Sequence, residues 1–185
     1  MAVSHEIQYF LGANSPAGFY SLYSELLPPE TANAIYILKG GPGCGKSTLM
    51  RRVAQQAAQA GEAVEYILCS GDPDSLDAVV LPRLGAALVD GTAPHVVEPK
   101  YPGAVEQYVN LGDCYDRAGL RAIRGEILTC MDGYKEHYQR AYRCLDAAAE
   151  IQTDVRAMLV TPALEEKLAA RAHGILSREL KPKRS

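Results

Sequence analysis

The chain has 185 residues, of which 48% are hydrophobic and 22% are charged, and its formal net charge is −3. This length suits one domain with an appendage, and the composition is that of a globular protein rather than a disordered one. The slightly acidic balance excludes a chain-wide basic field of the kind that attracts nucleic acid or an anionic membrane. Only the tail 181–184 is basic, and it is interpreted as a solvated terminus.

The sequence contains no sign of export or of a membrane span. No segment reaches the roughly 18 consecutive apolar residues that a spanning helix needs, and residues 1–10 lack the pattern of a signal peptide. The five cysteines are odd in number and form no CxxC pair, which argues against a disulfide framework and against a zinc site. We therefore expect a cytoplasmic protein.

The first part of the chain alternates short apolar runs with turn residues. Residues 6–11 predict a short strand, 12–18 a turn, and 20–27 a helix that ends at Pro28. The run 34–38 is continuously apolar and rich in β-forming residues, so it predicts a strand that is buried on both faces.

Four further elements are predicted in the next part of the chain: a helix over 46–60, a strand over 64–68, a short helix over 74–80 and a strand over 86–89 that ends at Asp90. The short helix is predicted because Asp74 and Ser75 are residues that cap helices. An alternation of strands and helices predicts an α/β fold with right-handed crossovers. We expect a parallel sheet of three to five strands.

The C-terminal part of the chain is predicted to be helical. The loop 91–103 has three prolines and two glycines, and it follows a strand at the position where ligand loops lie in open α/β sheets. Apolar residues then recur at spacings of three and four from Leu120 to Val155, which predicts a long amphipathic helix. A final helix is predicted from Pro162 to about residue 178, so that the two form a helical hairpin.

Residues 40–48, with the sequence GGPGCGKST, match the phosphate-binding pattern G-x-x-x-x-G-K-[ST] between a predicted strand and a predicted helix. Glycines in such a loop let backbone N–H groups point at a phosphate, and the helix adds the positive end of its dipole. We therefore expect a Walker A P-loop that binds ATP with Mg²⁺. The expected nucleotide-binding residues are Gly41, Pro42, Gly43, Cys44, Gly45, Lys46, Ser47 and Thr48.

Three side chains are expected to act on the nucleotide and its metal ion. Lys46 is expected to reach the β- and γ-phosphates, and Ser47 to ligate Mg²⁺. Asp90 ends an apolar strand, which is the Walker B pattern, so it is expected to lie beside the same ion. Gly91 stands where many hydrolytic ATPases have a glutamate that polarises water, and hydrolysis is therefore expected to be slow.

Several other polar residues are candidates for the site. Asp72 is a candidate catalytic base toward an acceptor hydroxyl, although Asp72 and Asp74 can also serve only as helix caps. His95 is a candidate to sense the γ-phosphate or to bind a second substrate, with an ordinary loop histidine as the alternative. Arg83 and Lys100 are further candidates for contacts with phosphate.

Residues 5–116 resemble a little-characterised bacterial family of P-loop ATPase or nucleotide-kinase-like proteins. The resemblance rests on YFLGANSPAGFYSLY, GGPGCGKST, CSGDPDSLDAVVLP and DGTAPHVVEPKYPGAVEQYVNLGD. Members of that family have two P-loop halves, so the resemblance implies that this chain corresponds to the N-terminal half. The chain is thus predicted to consist of a nucleotide-binding α/β domain over 1–116 and a helical extension over 117–185. So small a sheet exposes an edge, which either the long helices, a second copy of the chain or a missing second half would cover. We therefore expect self-association, as in a homodimer, or a truncated chain.

Three functions are compatible with these features. The first is an ATPase with slow Mg²⁺-dependent hydrolysis, coupled to a partner or to a conformational change, with the loop 91–103 as a gate. The second is a small-molecule or nucleotide kinase, which Asp72 and the absence of the glutamate favour, with Arg117, Arg121 and Arg124 as possible lid residues. The third is a non-catalytic, ATP-dependent switch or scaffold.

Overall fold

A computed structural model of the chain describes residues 6–93 and 96–180. These residues fall into two compact units, Met1–Tyr138 and Gln139–Ser185, and the boundary lies within one long helix. The first unit is an α/β structure, and the described part of the second is helical.

The α/β unit contains eight strands within the described residues: β1 (Glu6–Tyr9), β2 (Gly12–Ser15), β3 (Gly18–Ser21), β4 (Ala34–Lys39), β5 (Val64–Leu68), β6 (Leu76–Leu81), β7 (Ala86–Asp90) and β8 (Glu106–Asn110). The α-helices are α1 (Lys46–Gln59), α2 (Arg117–Ala122), α3 (Arg124–Leu159) and α4 (Pro162–Glu179). Short 3₁₀ helices occur at Tyr23–Glu25, Pro82–Leu84 and Leu111–Cys114.

Six strands form one sheet in the order β1-β5-β6-β7-β4-β8, and β2 and β3 form a separate hairpin. The pairs β1–β5, β4–β7 and β4–β8 are parallel, whereas β6 is antiparallel to both of its neighbours. The α/β class is therefore confirmed. The prediction of a parallel sheet with three to five strands is wrong, because the sheet is mixed and has six strands.

The strand β6 occupies most of the segment that was predicted as a helix over 74–80. All six of its residues are buried, because the strand lies between β5 and β7 and is covered on both faces. An apolar run of this length suits either a buried strand or a helix, and pairing with two neighbouring strands decides between them.

The helix predicted over 20–27 is also replaced by other structure. Its first residues belong to β3, which pairs with β2 across a tight turn between Ser15 and Gly18. A single 3₁₀ turn follows, and in it Tyr23 is buried and donates a hydrogen bond to Asp77 Oδ2 at 2.7 Å. A contact with a residue far along the chain therefore outweighs the local preference for an α-helix.

Both faces of the sheet are covered, as the continuous apolar run of β4 predicts. On one face α1 packs its Met50 and Ala54 against Leu38 and Val79, and all four side chains are fully buried. On the other face Tyr23 and its neighbours pack against the sheet. The segment that follows β4 therefore leaves from an interior strand of the sheet, next to the edge strand β8, with one core on each face.

The predicted long helix and final helix correspond to α3 and α4. Local sequence explains why a new helix starts after α3. Pro162 is the first residue of α4, and the Thr161 side chain caps this helix by accepting a hydrogen bond from Leu164 N. Neither helix has a buried residue in the described part of the chain. Within that same part, the helices lack the combination of length and apolar character that crossing a membrane requires.

Candidate functional site

The glycine loop, residues 40–45, joins the carboxyl end of β4 to the first turn of α1. Gly43 and Gly45 have φ angles of +74° and +92°, in the left-handed region where a Cβ atom is strained. These two residues turn the chain back so that α1 begins directly after Gly45. The strand, loop and helix expected around this motif are therefore present.

Lys46 is buried at the base of the glycine loop. Its Nζ donates hydrogen bonds to the carbonyl oxygen of Gly40 at 2.7 Å and to that of Gly41 at 3.0 Å. The same atom lies 3.4 Å from Asp90 Oδ2. A buried charge is costly unless polar groups surround it, and these oxygens provide that environment. The structure thus brings together two of the residues predicted for catalysis, Lys46 and Asp90.

Asp90 is held in one orientation at the end of β7. Its Oδ1 accepts hydrogen bonds from Thr92 N at 2.9 Å and from Thr92 Oγ1 at 2.5 Å, while Oδ2 faces Lys46. The side chain is 13% exposed, so it keeps a route to solvent. Because β7 pairs directly with β4, this carboxylate lies next to the glycine loop.

The other predicted nucleotide-binding residues, in the glycine loop and the first turn of α1, differ in their contacts and exposure. Ser47 Oγ accepts a hydrogen bond from Leu76 N at 3.0 Å, which leaves a second lone pair on the oxygen. Cys44 Sγ lies 3.8 Å from Lys46 Nζ, inside the loop. Pro42 and Thr48 are exposed. The cluster around Lys46 therefore has an accessible outer side.

Asp72 and Asp74 lie in the loop between β5 and β6, and both are exposed. The Asp72 carbonyl accepts a hydrogen bond from Ser75 N at 2.8 Å, and the Asp74 carbonyl accepts one from the Arg51 guanidinium. The prediction that Asp74 caps a helix is wrong, because the strand β6 follows this residue. The catalytic role of Asp72 stays a prediction.

The other candidates have different outcomes. His95 lies outside the described residues. Arg83 donates a hydrogen bond to the carbonyl oxygen of Gly61 at 3.3 Å, just beyond the C-terminal end of α1. It therefore lies at the opposite end of this helix from the glycine loop, so a contact between Arg83 and phosphate in that loop is ruled out. Lys100 is exposed, and its backbone N–H bonds to Glu106 Oε1 at 3.3 Å.

Asp77 was not predicted as a functional residue from the sequence, and its carboxylate is only 3% exposed. It lies where the register between β5 and β6 is irregular, since Ile67 pairs with Ala78 but Leu68 pairs with Leu76. Burial and the hydrogen bond to Asp77 raise the pKa of Tyr23 far above its ordinary value. Burial also raises the pKa of the nearby Cys69 thiol. An aspartate inside an apolar run is the one local sign of this cluster.

Tyr115 is a second residue that no sequence pattern predicts to lie at this site. Its hydroxyl oxygen accepts a hydrogen bond from Gly41 N, 74 residues away in the chain. A Cβ atom built on Gly40 would lie 3.3 Å from this hydroxyl and 3.4 Å from Leu111 Cβ. The 3₁₀ helix Leu111–Cys114 and Tyr115 therefore pack directly on the start of the glycine loop.

Lys39 joins the loop after β7 to the sheet. Its Nζ donates hydrogen bonds to the Gly91 carbonyl at 2.8 Å, to the Val97 carbonyl at 3.3 Å and to Glu98 Oε1 at 3.0 Å. Hydrogen bonds from Tyr108 and Lys39 lower the pKa of Glu98. The described part of this loop is thus tied to β4 and β8.

An open cavity of about 370 Å³ lies beside α1. Arg51 and Gln55 of α1 line it together with Tyr66, Asp74 and Leu76. The backbone N–H of Leu76 is the group that bonds to Ser47 Oγ, so one wall of the cavity adjoins the first turn of α1.

Comparison with known families identifies one match. The family model described as Nephrocystin 3, N-terminal matches residues 21–175, a range that includes the glycine loop, Asp90 and all of α3. No curated protein and no solved structure matches the chain. The match adds no support for the bacterial kinase-like family that residues 5–116 resemble.

Proposed function

The chain belongs to the family described as Nephrocystin 3, N-terminal, and we propose that it binds ATP with Mg²⁺ at the glycine loop, which acts as a P-loop. The observation that carries this proposal is the position of Lys46, which the carbonyl oxygens of Gly40 and Gly41 hold inside the loop beside Asp90. A lysine so placed offers its charge to the β- and γ-phosphates of a nucleotide.

The residues around Lys46 suit a metal–triphosphate complex. Ser47 and Asp90 would hold Mg²⁺, because the serine oxygen has a free lone pair and the carboxylate is fixed by Thr92. When bound, the ion would neutralise charge on the phosphates. The first turn of α1 adds the positive end of a helix dipole.

We propose that hydrolysis is slow and is coupled to a partner or to a conformational change. Gly91 is buried, and a Cβ atom there would overlap Ile37 Cγ2, so a glutamate cannot replace it without moving the core. Position 91 therefore excludes, for a steric reason, the carboxylate that polarises water in many hydrolytic ATPases. We also propose that the protein is cytoplasmic and that the chain self-associates.

Replacement of Lys46 tests nucleotide binding. We expect Lys46→Ala to weaken binding of a fluorescent ATP analogue in the presence of Mg²⁺ by roughly 100-fold, since charge-assisted contacts to two phosphates are lost. Lys135→Ala is the matched control, because Lys135 is exposed on α3 and pairs with Asp132 at 3.3 Å. Thermal unfolding establishes that both variants fold. Unchanged affinity in a folded Lys46→Ala protein would refute the proposal.

The cavity beside α1 favours a kinase as the second candidate function. A kinase needs a site for an acceptor near the phosphates, and this cavity adjoins Ser47 through Leu76.

To distinguish the candidate functions, formation of ADP is measured with a panel of nucleosides, nucleotides and sugars. A rate well above that without acceptor indicates a kinase, whereas a rate that no acceptor changes indicates an ATPase. Binding without turnover indicates the third candidate, a switch or scaffold.

A further inference from the structure

The hydroxyl of Tyr115 lies against the start of the glycine loop. The N–H of Gly41 donates to it, and a Cβ atom built on Gly41 would lie 3.2 Å from the same oxygen. The carbonyl oxygens of Gly40 and Gly41 meanwhile accept hydrogen bonds from Lys46 Nζ. The same short piece of backbone thus positions both a phenol and an ammonium group.

A phenolic hydroxyl can accept and donate at once. The Tyr115 oxygen accepts from Gly41, but within residues 6–93 and 96–180 no acceptor receives its proton. The side chain is half-buried, so part of it is open to solvent. An anionic ligand that reaches Lys46 is therefore offered a second donor from Tyr115.

We propose that Tyr115 donates a hydrogen bond from its hydroxyl to the terminal phosphate of a bound nucleoside triphosphate. This inference rests on the proposed function of the glycine loop. The terminal phosphate is the group concerned because Tyr115 contacts the beginning of the loop, near the Lys46 ammonium, rather than its other end at the first turn of α1. Tyr115 then distinguishes a triphosphate from a diphosphate.

The position of Tyr115 also connects this contact to the helical segment that follows. Its backbone N–H bonds to the Gly112 carbonyl at 3.3 Å, and the next residue, Asp116, caps α2 by accepting from Gly119 N at 3.0 Å. A phosphate that holds the phenol therefore also holds residues 111–122. Triphosphate binding is expected to stabilise this segment, and diphosphate binding is not.

The variant Tyr115→Phe tests the inference, since it removes the hydroxyl and keeps the ring. Affinities for a non-hydrolysable ATP analogue and for ADP are measured by calorimetry with Mg²⁺. We expect the affinity for the triphosphate to fall about tenfold more than the affinity for ADP, which is the effect of one hydrogen bond to a charged group. Tyr20→Phe is the control, because Tyr20 is an exposed tyrosine on β3.

The outcomes separate this inference from the proposed function. If the parent binds neither nucleotide, both are refuted. If the parent binds the triphosphate and Tyr115→Phe loses no more affinity for it than for ADP, only the role of Tyr115 is refuted. Should the variant fail to fold, hydrogen exchange of the parent provides the test: exchange in residues 111–122 must be slower with the triphosphate than with ADP, and equal rates would overturn the inference.

Discussion

Gly91 is buried directly after the end of β7. Because it has no side chain, it leaves room for residues of the neighbouring strand β4. A Cβ atom would overlap Ile37 Cγ2 and would lie 3.2 Å from Lys39 Cε. Ile37 is fully buried, and side chains in protein cores are closely packed. The residue after Asp90 is therefore determined by packing.

Replacement of this glycine should be costly even with the smallest side chain. We expect Gly91→Ala to lower the free energy of unfolding by about 1–3 kcal/mol, the usual cost of overpacking a filled core. Urea denaturation measures the change. Gly125→Ala in α3 is the control, because a Cβ atom there meets nothing within 4 Å and alanine favours a helix. Equal stability of Gly91→Ala and the parent would contradict this account.

Tyr23 should make the stability of the α/β unit depend on pH in the alkaline range. Burial and the hydrogen bond to Asp77 raise its pKa above the ordinary 10.0. A proton held more tightly in the folded state stabilises the fold below the unfolded pKa, and this contribution is lost as the pH rises through the folded pKa. The free energy of unfolding should therefore fall as the pH rises above about 10.

Urea denaturation at a series of pH values, for the parent and for Tyr23→Phe, isolates this contribution. The decline above about pH 10 should be less steep in the variant, because phenylalanine has no proton to lose. Other tyrosines contribute equally to both proteins, so the difference between the two slopes belongs to Tyr23. Identical slopes would show that the hydroxyl of Tyr23 ionises as freely in the folded state as in the unfolded state.

At the scale of elements, β8 and the loop before it depend on one buried carboxylate. Glu106 begins β8, and its side chain accepts hydrogen bonds from Lys100 N at 3.3 Å and from Tyr101 N at 2.9 Å. Its backbone carbonyl accepts a further one from Gly103 N at 2.9 Å. A single residue thus anchors the end of the loop to an edge strand.

We expect Glu106→Ala to release this part of the loop, because two backbone N–H groups lose their acceptor. Cleavage by trypsin after Lys100 should become several-fold faster under native conditions, since proteolysis reports on local opening. Gln107→Ala is the control, because Gln107 is the next residue of β8 and is exposed. Equal cleavage rates in the two variants would contradict the anchoring role of the carboxylate.

At the scale of the whole molecule, the two long helices expose many apolar side chains. Met158, Ile151 and Leu159 are 81%, 65% and 64% exposed, and within the described residues neither α3 nor α4 buries a side chain. Exposed apolar surface of this extent commonly marks an interaction surface. It gives the proposed self-association a physical basis besides the exposed edge of the sheet.

Self-association through these helices should depend on concentration and on apolar contact. The mass from light scattering should rise with concentration in the parent, and Met158→Glu should shift the protein toward the monomer because it places a charge on the apolar surface. Gln152→Glu adds the same charge at a polar position of α3 and is the control. A parent that stays monomeric at all concentrations would rule out self-association.

Much of the local structure follows from the sequence. The runs at β4, β5 and β7 and the periodic segments at α1, α3 and α4 form the predicted elements, because apolar periodicity and capping residues act over a few neighbouring positions. The glycine loop likewise lies between the predicted strand and helix, with Lys46 beside Asp90. The spacing of the glycines indicates where the backbone adopts conformations that other residues avoid, so this loop is predictable from local sequence.

The direction of β6, the addition of β8 and the contacts of Asp77 and Tyr115 were decided only by tertiary structure. The apolar run at β6 is compatible with a helix or with a strand. Pairing with β5 and β7 makes it a strand, and this strand is antiparallel to both of them. Tyr23 meets Asp77 across 54 residues, and Tyr115 meets Gly41 across 74. No local pattern specifies such pairs, because their energy arises when distant parts of the chain become neighbours in the folded sheet.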